Sequence, residues 1–240
     1  MASQPAARLA PADIARAEDV VRSAGWLSRT SPEFRDAILA NVHWARFDAG
    51  ASITHAGDAG GLRAIAEGQA TVLPAMEGPS HGVIHIAQAP FWFGAVPLIS
   101  GEGRVASVTA RIPCIVATVP HDQVSRLLAQ EPAWWRYIAL HIHELFAVTL
   151  QALCDAYIRN GEARCAAVLL RLSQWPAHTG MPAPIACTQA ELAAMCAMSR
   201  QSLVAVLDQL ESQRLIERGY RSITVRDVEA LRAFVAAAHD

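Results

Sequence analysis

The chain has 240 residues, 52% hydrophobic and 18% charged, enough for one large core or two ordinary ones without disulfide support. Its formal charge is −2, and the segment from Gly161 onward carries eight arginines against eight acidic residues, which excludes a general attraction to polyanions. Any nucleic-acid function must therefore rest on where individual charges sit.

No lysine occurs, so all 20 basic side chains are arginines; this reads as compositional bias. Met1 to Pro11 is rich in Ala and Pro with no apolar core after a basic start, so no secretory leader is expected. No run of eighteen uninterrupted apolar residues occurs, which argues against a membrane span. The five cysteines, Cys114, Cys154, Cys165, Cys187 and Cys196, are scattered and form no CxxC pair. That spacing argues against a zinc ribbon or a locally ligated iron–sulfur cluster and suits thiols in a reducing cytoplasm. The expectation is a cytoplasmic protein with no cofactor and no metal.

From about Phe47 to Val119 the pattern is short and β-like, with Gly, Asp and Pro punctuation between apolar pieces such as Leu62–Ala66, Ala70–Leu73 and Val83–Ile86. A further pair, "ASVTA" and "CIVATV", closes the region. Strands at this spacing predict a barrel or sandwich. The period then changes. Pro132 sits where a first helical turn tolerates it, and no Gly or Pro follows until Gly161. Trp135, Ile138, Ile142, Leu145, Phe146, Leu153 and Tyr157 fall mostly three or four apart, an apolar stripe too long for so small a barrel to cover. A seam against a second copy is the preferred reading. Asn160-Gly161 reads as a hinge, "EARCAAVLLRLSQW" as another helix ending at Pro176, and "PAHTGMPAPIA" as a loop.

Thr188-x-x-Glu191 has capping-box spacing, and Leu192, Met195 and Cys196 give the helix it opens a core face. Ser199 is a good N-cap for the next helix, whose Leu203, Val206, Leu207 and Leu210 form one stripe. Only a tight turn fits between them, so the two helices must cross: a helix-turn-helix. Leu215-Ile216 and Ile223-x-Val225 then predict a hairpin around Arg218-Gly219-Tyr220-Arg221, completing a winged helix. In that geometry the second helix lays its N-terminal residues on base edges in the major groove. Thr188, Gln189, Ser199, Arg200, Gln201 and Ser202 are the expected DNA-facing residues, with Arg218 and Arg221 on the wing against phosphates. A winged helix that binds a protein partner is the rival reading.

At this point the sequence resembles the Crp/Fnr superfamily of bacterial transcription regulators over about residues 45 to 230. Asp48-Ala49-Gly50-Ala51 and His55-Ala56-Gly57-Asp58 are similar to two turns of its sensor domain. Ile65-Ala66-Glu67-Gly68 and Arg104-Val105-Ala106-Ser107-Val108-Thr109-Ala110 are similar to its "I-x-x-G" and "R-x-A-x-V-x-A" strands. The resemblance implies an α+β chain: a β-barrel or jelly-roll sensor domain over residues 1–130, a long dimerisation helix over 131–160, and a winged helix-turn-helix DNA-binding domain over 161–240. It also implies a homodimer on a pseudo-palindromic operator in double-stranded DNA, RNA polymerase as partner if the protein activates, and no membrane role.

Cyclic-nucleotide members of the family use a Gly-Glu pair, an Arg-Ser pair and a threonine on the long helix. The matching positions here are Gly94-Ala95, Arg104-Val105 and Thr149-Leu150. The acceptor for the ribose and one phosphate donor are lost, at about tenfold in affinity apiece. Cyclic AMP is therefore not the expected effector. Phe91, Trp92 and Phe93 are expected either to fill the cavity or to line a site for a planar ligand. Haem sensing through His81 or His85 is an alternative, whereas His141 and His143, two apart on a helix, make a poor metal pair. Gln201 and Ala205 differ from the usual reading residues, so a different operator is expected. Ala197 stands where the family often has glycine; if φ is positive there, alanine costs ~1–2 kcal/mol. No hydrolase, P-loop or dinucleotide motif occurs, so an enzyme is not expected.

Overall fold

The computed structural model describes residues 9–75, 82–174 and 184–237. His81 and most of the loop after Pro176 lie outside them. The chain divides into two compact units, one of residues 1–81 and 87–146, the other of residues 82–86 and 147–240.

The first unit opens with three helices that the sequence reading did not anticipate: α1 (Pro11–Ser23), α2 (Gly25–Ser28) and α3 (Pro32–Leu39). Pro11 and Pro32 each occupy a first-turn position, and the Ser31 hydroxyl accepts from the Phe34 N–H at 3.3 Å as an N-cap. The strands follow as β1 (His43–Phe47), β2 (Ser52–Thr54), β3 (Gly61–Glu67), β4 (Gln69–Pro74), β5 (His85–Gln88), β6 (Phe91–Phe93), β7 (Ala106–Ala110) and β8 (Cys114–Pro120). They form two four-stranded sheets, in the orders β1-β8-β3-β6 and β2-β7-β4-β5. Short helices α4 (Val96–Ser100) and α5 (His121–Gln130) flank β7 and β8.

The central strands β3 and β8 are buried on both faces, which is why they read as near-continuous apolar runs. The outer face of their sheet packs on the N-terminal helices. Trp26, Phe34 and Ile38 join Ala64, Trp92 and Ala117 in one core. Trp26 meets Phe34 and Trp92 edge-on at 5.8 and 5.4 Å between ring centres, and its indole N–H donates to the Tyr137 carbonyl at 2.7 Å.

The long helix α6 (Trp135–Tyr157) follows a single 3₁₀ turn at Pro132–Trp134. The unit boundary falls inside α6, between Phe146 and Ala147. Its stripe splits accordingly. Ile138 and His141 are fully buried in the first unit, whereas Phe146, Leu150, Leu153 and Tyr157, spaced four, three and four apart, face outward. Among the described residues, α6 is the one single helix long and apolar enough to cross a membrane. The core position of Ile138 and the buried ion pair of Asp155 described below give it a globular setting instead.

The second unit comprises α7 (Gly161–Gln174), β9 (Ile185–Ala186), α8 (Gln189–Met195), α9 (Arg200–Ser212), β10 (Ile216–Gly219), β11 (Ser222–Val225) and α10 (Val228–Ala237). The strands pair antiparallel in the order β10-β11-β9. Leu169 and Leu172, Leu192, Leu203, Leu207 and Leu210, then Ile223 and Leu231, bring α7, α8, α9 and α10 into one core. Its apolar positions are those the helical and strand periods single out.

Candidate nucleic-acid interface

The reading head is built by its caps. Thr188 and Glu191 form the full capping box: the hydroxyl accepts from the Glu191 N–H at 3.2 Å, and the carboxylate accepts from the Thr188 N–H at 2.8 Å. Ser199 caps α9 by accepting from the Ser202 N–H at 3.0 Å, and the two hydroxyls lie 2.9 Å apart. Helices α8 and α9 meet at 96° across the four residues Cys196 to Ser199. Ala197 in that turn has φ +48°, so the left-handed position is present and is held by alanine.

This turn is clamped from below. Arg164 on α7 donates from Nε to the Cys196 carbonyl at 2.5 Å and from Nη1 to the Ile158 carbonyl at 2.6 Å. One guanidinium therefore satisfies orphan carbonyls at the ends of both α8 and α6. Asn160, expected as half of a hinge, caps α7 by accepting from the Ala163 N–H at 3.0 Å. Nearby, Arg171 donates to Asp155 at 2.7 Å in a buried ion pair, and Gln151 donates to the other carboxylate oxygen at 3.1 Å. The last turns of α6 are tied to α7 on both sides of the expected hinge.

Thr188, Gln189, Arg200, Arg218 and Arg221 all border one groove of about 540 Å³ between the head of α8, the start of α9 and the wing. Ser199, Arg200, Gln201 and Ser202 are all exposed, and Arg200 among them lines the groove. The wing is a two-residue hairpin at Tyr220-Arg221, with Gly219 opposite Ser222 and Arg221 at φ +53°. Tyr220 is 93% exposed at its tip.

Arg218 departs from the expected phosphate contact. Its guanidinium lies 2.7 Å from Asp208 and 2.6 Å from Glu211, and its backbone N–H also donates to Glu211 at 2.8 Å. Hydrogen bonding to Glu211 raises the Arg218 pKa, and Arg218 in turn lowers that of Glu211. The residue braces the wing on α9. Arg200, Arg214 and Arg221 make no ion pair among the described residues, so their charges remain available to a polyanion. The spacing of Glu211 and Arg218 was the only sequence signal for the brace, and it crosses an unpredicted change of direction.

Of the four expected effector residues in the first unit, two meet and two point elsewhere. Gly94 and Arg104 touch: a Cβ on Gly94 would lie 2.3 Å from Arg104 Nη1, so only glycine admits the guanidinium. Ala95 instead joins the outer core with Trp92, and Val105 is 64% exposed. Thr149 is exposed on the part of α6 that belongs to the second unit. The aromatic run also divides, by strand alternation: Trp92 packs outward, while Phe91 and Phe93 stack at 6.2 Å on the opposite face. His85, the haem candidate within the described residues, is fully enclosed; burial and then the charge of Arg171 push its pKa down to about 3.

A crossed helix pair with exposed polar residues at the head of the second helix, a cationic wing and a groove between them defines a DNA-binding regulator module. The Crp-like helix-turn-helix domain model matches residues 163–234, and the cyclic nucleotide-binding domain model matches residues 44–131. The chain is 27% identical over 188 residues to the cAMP-activated global transcriptional regulator Vfr of Pseudomonas aeruginosa, covering 75% of this chain and 88% of that one. It is 24% identical over 191 residues to the cAMP-activated global transcriptional regulator CRP of Pasteurella multocida, covering 78% and 91%. The solved structure of FixK2 from Bradyrhizobium japonicum has the same fold, with a TM-score of 0.67 at 14% identity over 80% of this chain and 96% of that one. The protein belongs to the Crp/Fnr superfamily of transcription regulators.

Proposed function

We propose that the protein is a sequence-specific transcription regulator that acts as a cytoplasmic homodimer on a pseudo-palindromic operator. It uses Thr188, Gln189, Ser199, Arg200, Gln201 and Ser202 at the groove and Arg221 on the wing. The observation that carries this reading is the groove itself. It gathers five separately predicted residues, from two helices and a hairpin, on one face. The exposed row Phe146, Leu150, Leu153 and Tyr157 supports the dimer, since an unpartnered apolar stripe of this kind is the seam of a coiled pair. Two heads about 34 Å apart then engage half-sites one duplex turn apart.

Arg200 pairs best with guanine and Gln201 with adenine, which sets the operator apart from those of regulators with a glutamate where this chain has Gln201. If the protein activates, RNA polymerase is its further partner. Cyclic AMP is not the effector: Ala95 offers no acceptor for a ribose hydroxyl and turns its side chain into the outer core. A haem-gated reading gains no support from His85, whose imidazole is enclosed beside Arg171.

Selection from random duplex DNA with the full chain is the test. A two-fold symmetric sequence is expected to enrich for the wild type and to be lost in Arg200→Ala. Retention of the same sequence by that variant would show that the head of α9 does not read bases. Calorimetry with cyclic AMP is expected to show no micromolar binding.

A further inference from the structure

The outward face of α6 has a definite heptad phase. His143, Phe146, Leu150, Leu153 and Tyr157 are all exposed and fall three, four, three and four apart, the a and d positions of a coiled pair. The positions that flank such a seam, e and g, are Ala147, Thr149, Cys154 and Ala156, every one exposed and none of them acidic or basic. The rest of the helix is occupied by its own chain. Glu144 is paired with Arg29, Leu145 and Val148 are half-buried, and Asp155 is buried with Arg171 and accepts from Gln151. Burial and heptad therefore give the same phase independently.

A seam with no acid or base at e and g lacks the interhelical ion pairs that commonly choose partner and register. Its one basic side chain from residue 143 to residue 157 is His143, at an a position. A single polar residue at a specifies register and a two-stranded state, at some cost in stability. Two neutral imidazoles facing across the axis are complementary, since each offers one N–H donor and one bare nitrogen as acceptor. Protonation turns every ring nitrogen into a donor and sets two like charges against each other. Nearby groups do not relieve them. Arg136, one heptad earlier and lying over the Tyr137 ring, adds positive charge, whereas the Glu144 and Asp155 carboxylates are held by Arg29 and Arg171.

We propose that the face of α6 from His143 to Tyr157 closes on a second copy of this chain, parallel and in register, with the two His143 imidazoles paired across the axis as a pH-sensitive key to the dimer. The inference rests on the homodimer reading above and names what regulates it. Assembly disfavours the charged imidazole, so the dimer is complete above the range in which histidine titrates and is lost as pH falls through it. Operator occupancy falls with it, because a monomer engages one half-site at a time.

The test is sedimentation equilibrium of the full chain at about pH 7.5 and about pH 5.5, on either side of the ordinary histidine range, for the wild type and His143→Leu. The wild-type dissociation constant is expected to rise about tenfold if the dimer refuses one of the two protons, and about a hundredfold if it refuses both. His143→Leu is expected to dimerise more tightly, with no such rise. That variant keeps the buried His85 and His141, so any general loosening by acid is common to both proteins and cancels in the comparison. A wild-type constant that is level over this range, or a rise that remains in His143→Leu, overturns the key and leaves the dimer standing. A wild type that is monomeric at the higher pH overturns the homodimer reading and the key together.

Discussion

Ala197 shows how one residue carries a strain the sequence announces. At φ +48° an alanine pushes its Cβ towards the following carbonyl, whereas glycine does not. Ala197→Gly is expected to raise stability by about 1 kcal/mol, with the gain of native relief partly offset by a freer unfolded chain. Urea unfolding at neutral pH measures it; a loss would mean that the turn relaxes around alanine. His85 and His141 carry the second residue-scale prediction. Burial pushes each pKa to about 3, far below the ordinary 6.5. Above about pH 6.5 both are neutral whether folded or not and cost nothing. As pH falls from 6.5 towards 3 the unfolded chain takes up protons that the folded chain refuses, so stability drops by about 1.4 kcal/mol per pH unit for each histidine. Stability from denaturation midpoints is expected to be level from pH 7.5 to about 6.5 and to follow that slope from there to pH 5, above the carboxylate range, with His141→Phe halving it.

Among the elements, the wing owes its position to Arg218. Because Asp208 and Glu211 both hold that guanidinium, removing a carboxylate from α9 has opposite consequences under two descriptions. If Arg218 braces the wing, Glu211→Gln loosens the hairpin that carries Arg221 and weakens operator binding several-fold, despite deleting a negative charge beside DNA. If Arg218 contacts phosphate directly, the same change frees it and binding tightens. Filter binding at two salt concentrations decides, and Arg221→Ala alone is expected to reduce the salt slope by about one. The ends of α6 and α7 offer a parallel case. The Asp155–Arg171 pair is buried on both sides, so Arg171→Met strands a carboxylate in the core and is expected to cost about 3–5 kcal/mol. The segment at Asn160-Gly161, a break by composition, is in fact capped by Asn160 and clamped by Arg164.

For the whole molecule, the outward row of α6 begins at Phe146, the last residue of the first unit, and continues into the second. Leu153→Glu places a charge in the middle of Phe146, Leu150 and Tyr157 and is expected to give a folded monomer in sedimentation, with operator affinity falling because two half-sites are no longer engaged together. Unaltered sedimentation would assign the row to another partner. The clamp of Arg164 on the ends of both α6 and α8 ties the tail of α6 to the base of the reading head within the second unit.

The elements whose signals are local were legible in the sequence: the capping box at Thr188, the N-cap at Ser199, the 3–4 stripe of α9, the alternation in β11 and the turn at Ala197. Each depends on neighbours within a few positions, and short-range sterics and hydrogen bonds fix them wherever the chain goes. The strand-rich sensor, the long helix and the winged helix followed in order from the change of period. What only the tertiary structure decided was the partner of each arginine. Arg218 finds two carboxylates on α9, Arg164 finds two helix ends, and Arg63 reaches a carbonyl on the opposite sheet to lie beside Arg104. With every cation of one type and the net charge near zero, nothing local distinguishes a brace from a ligand-binding group. Charge acts through space, so its role is settled only when distant segments meet.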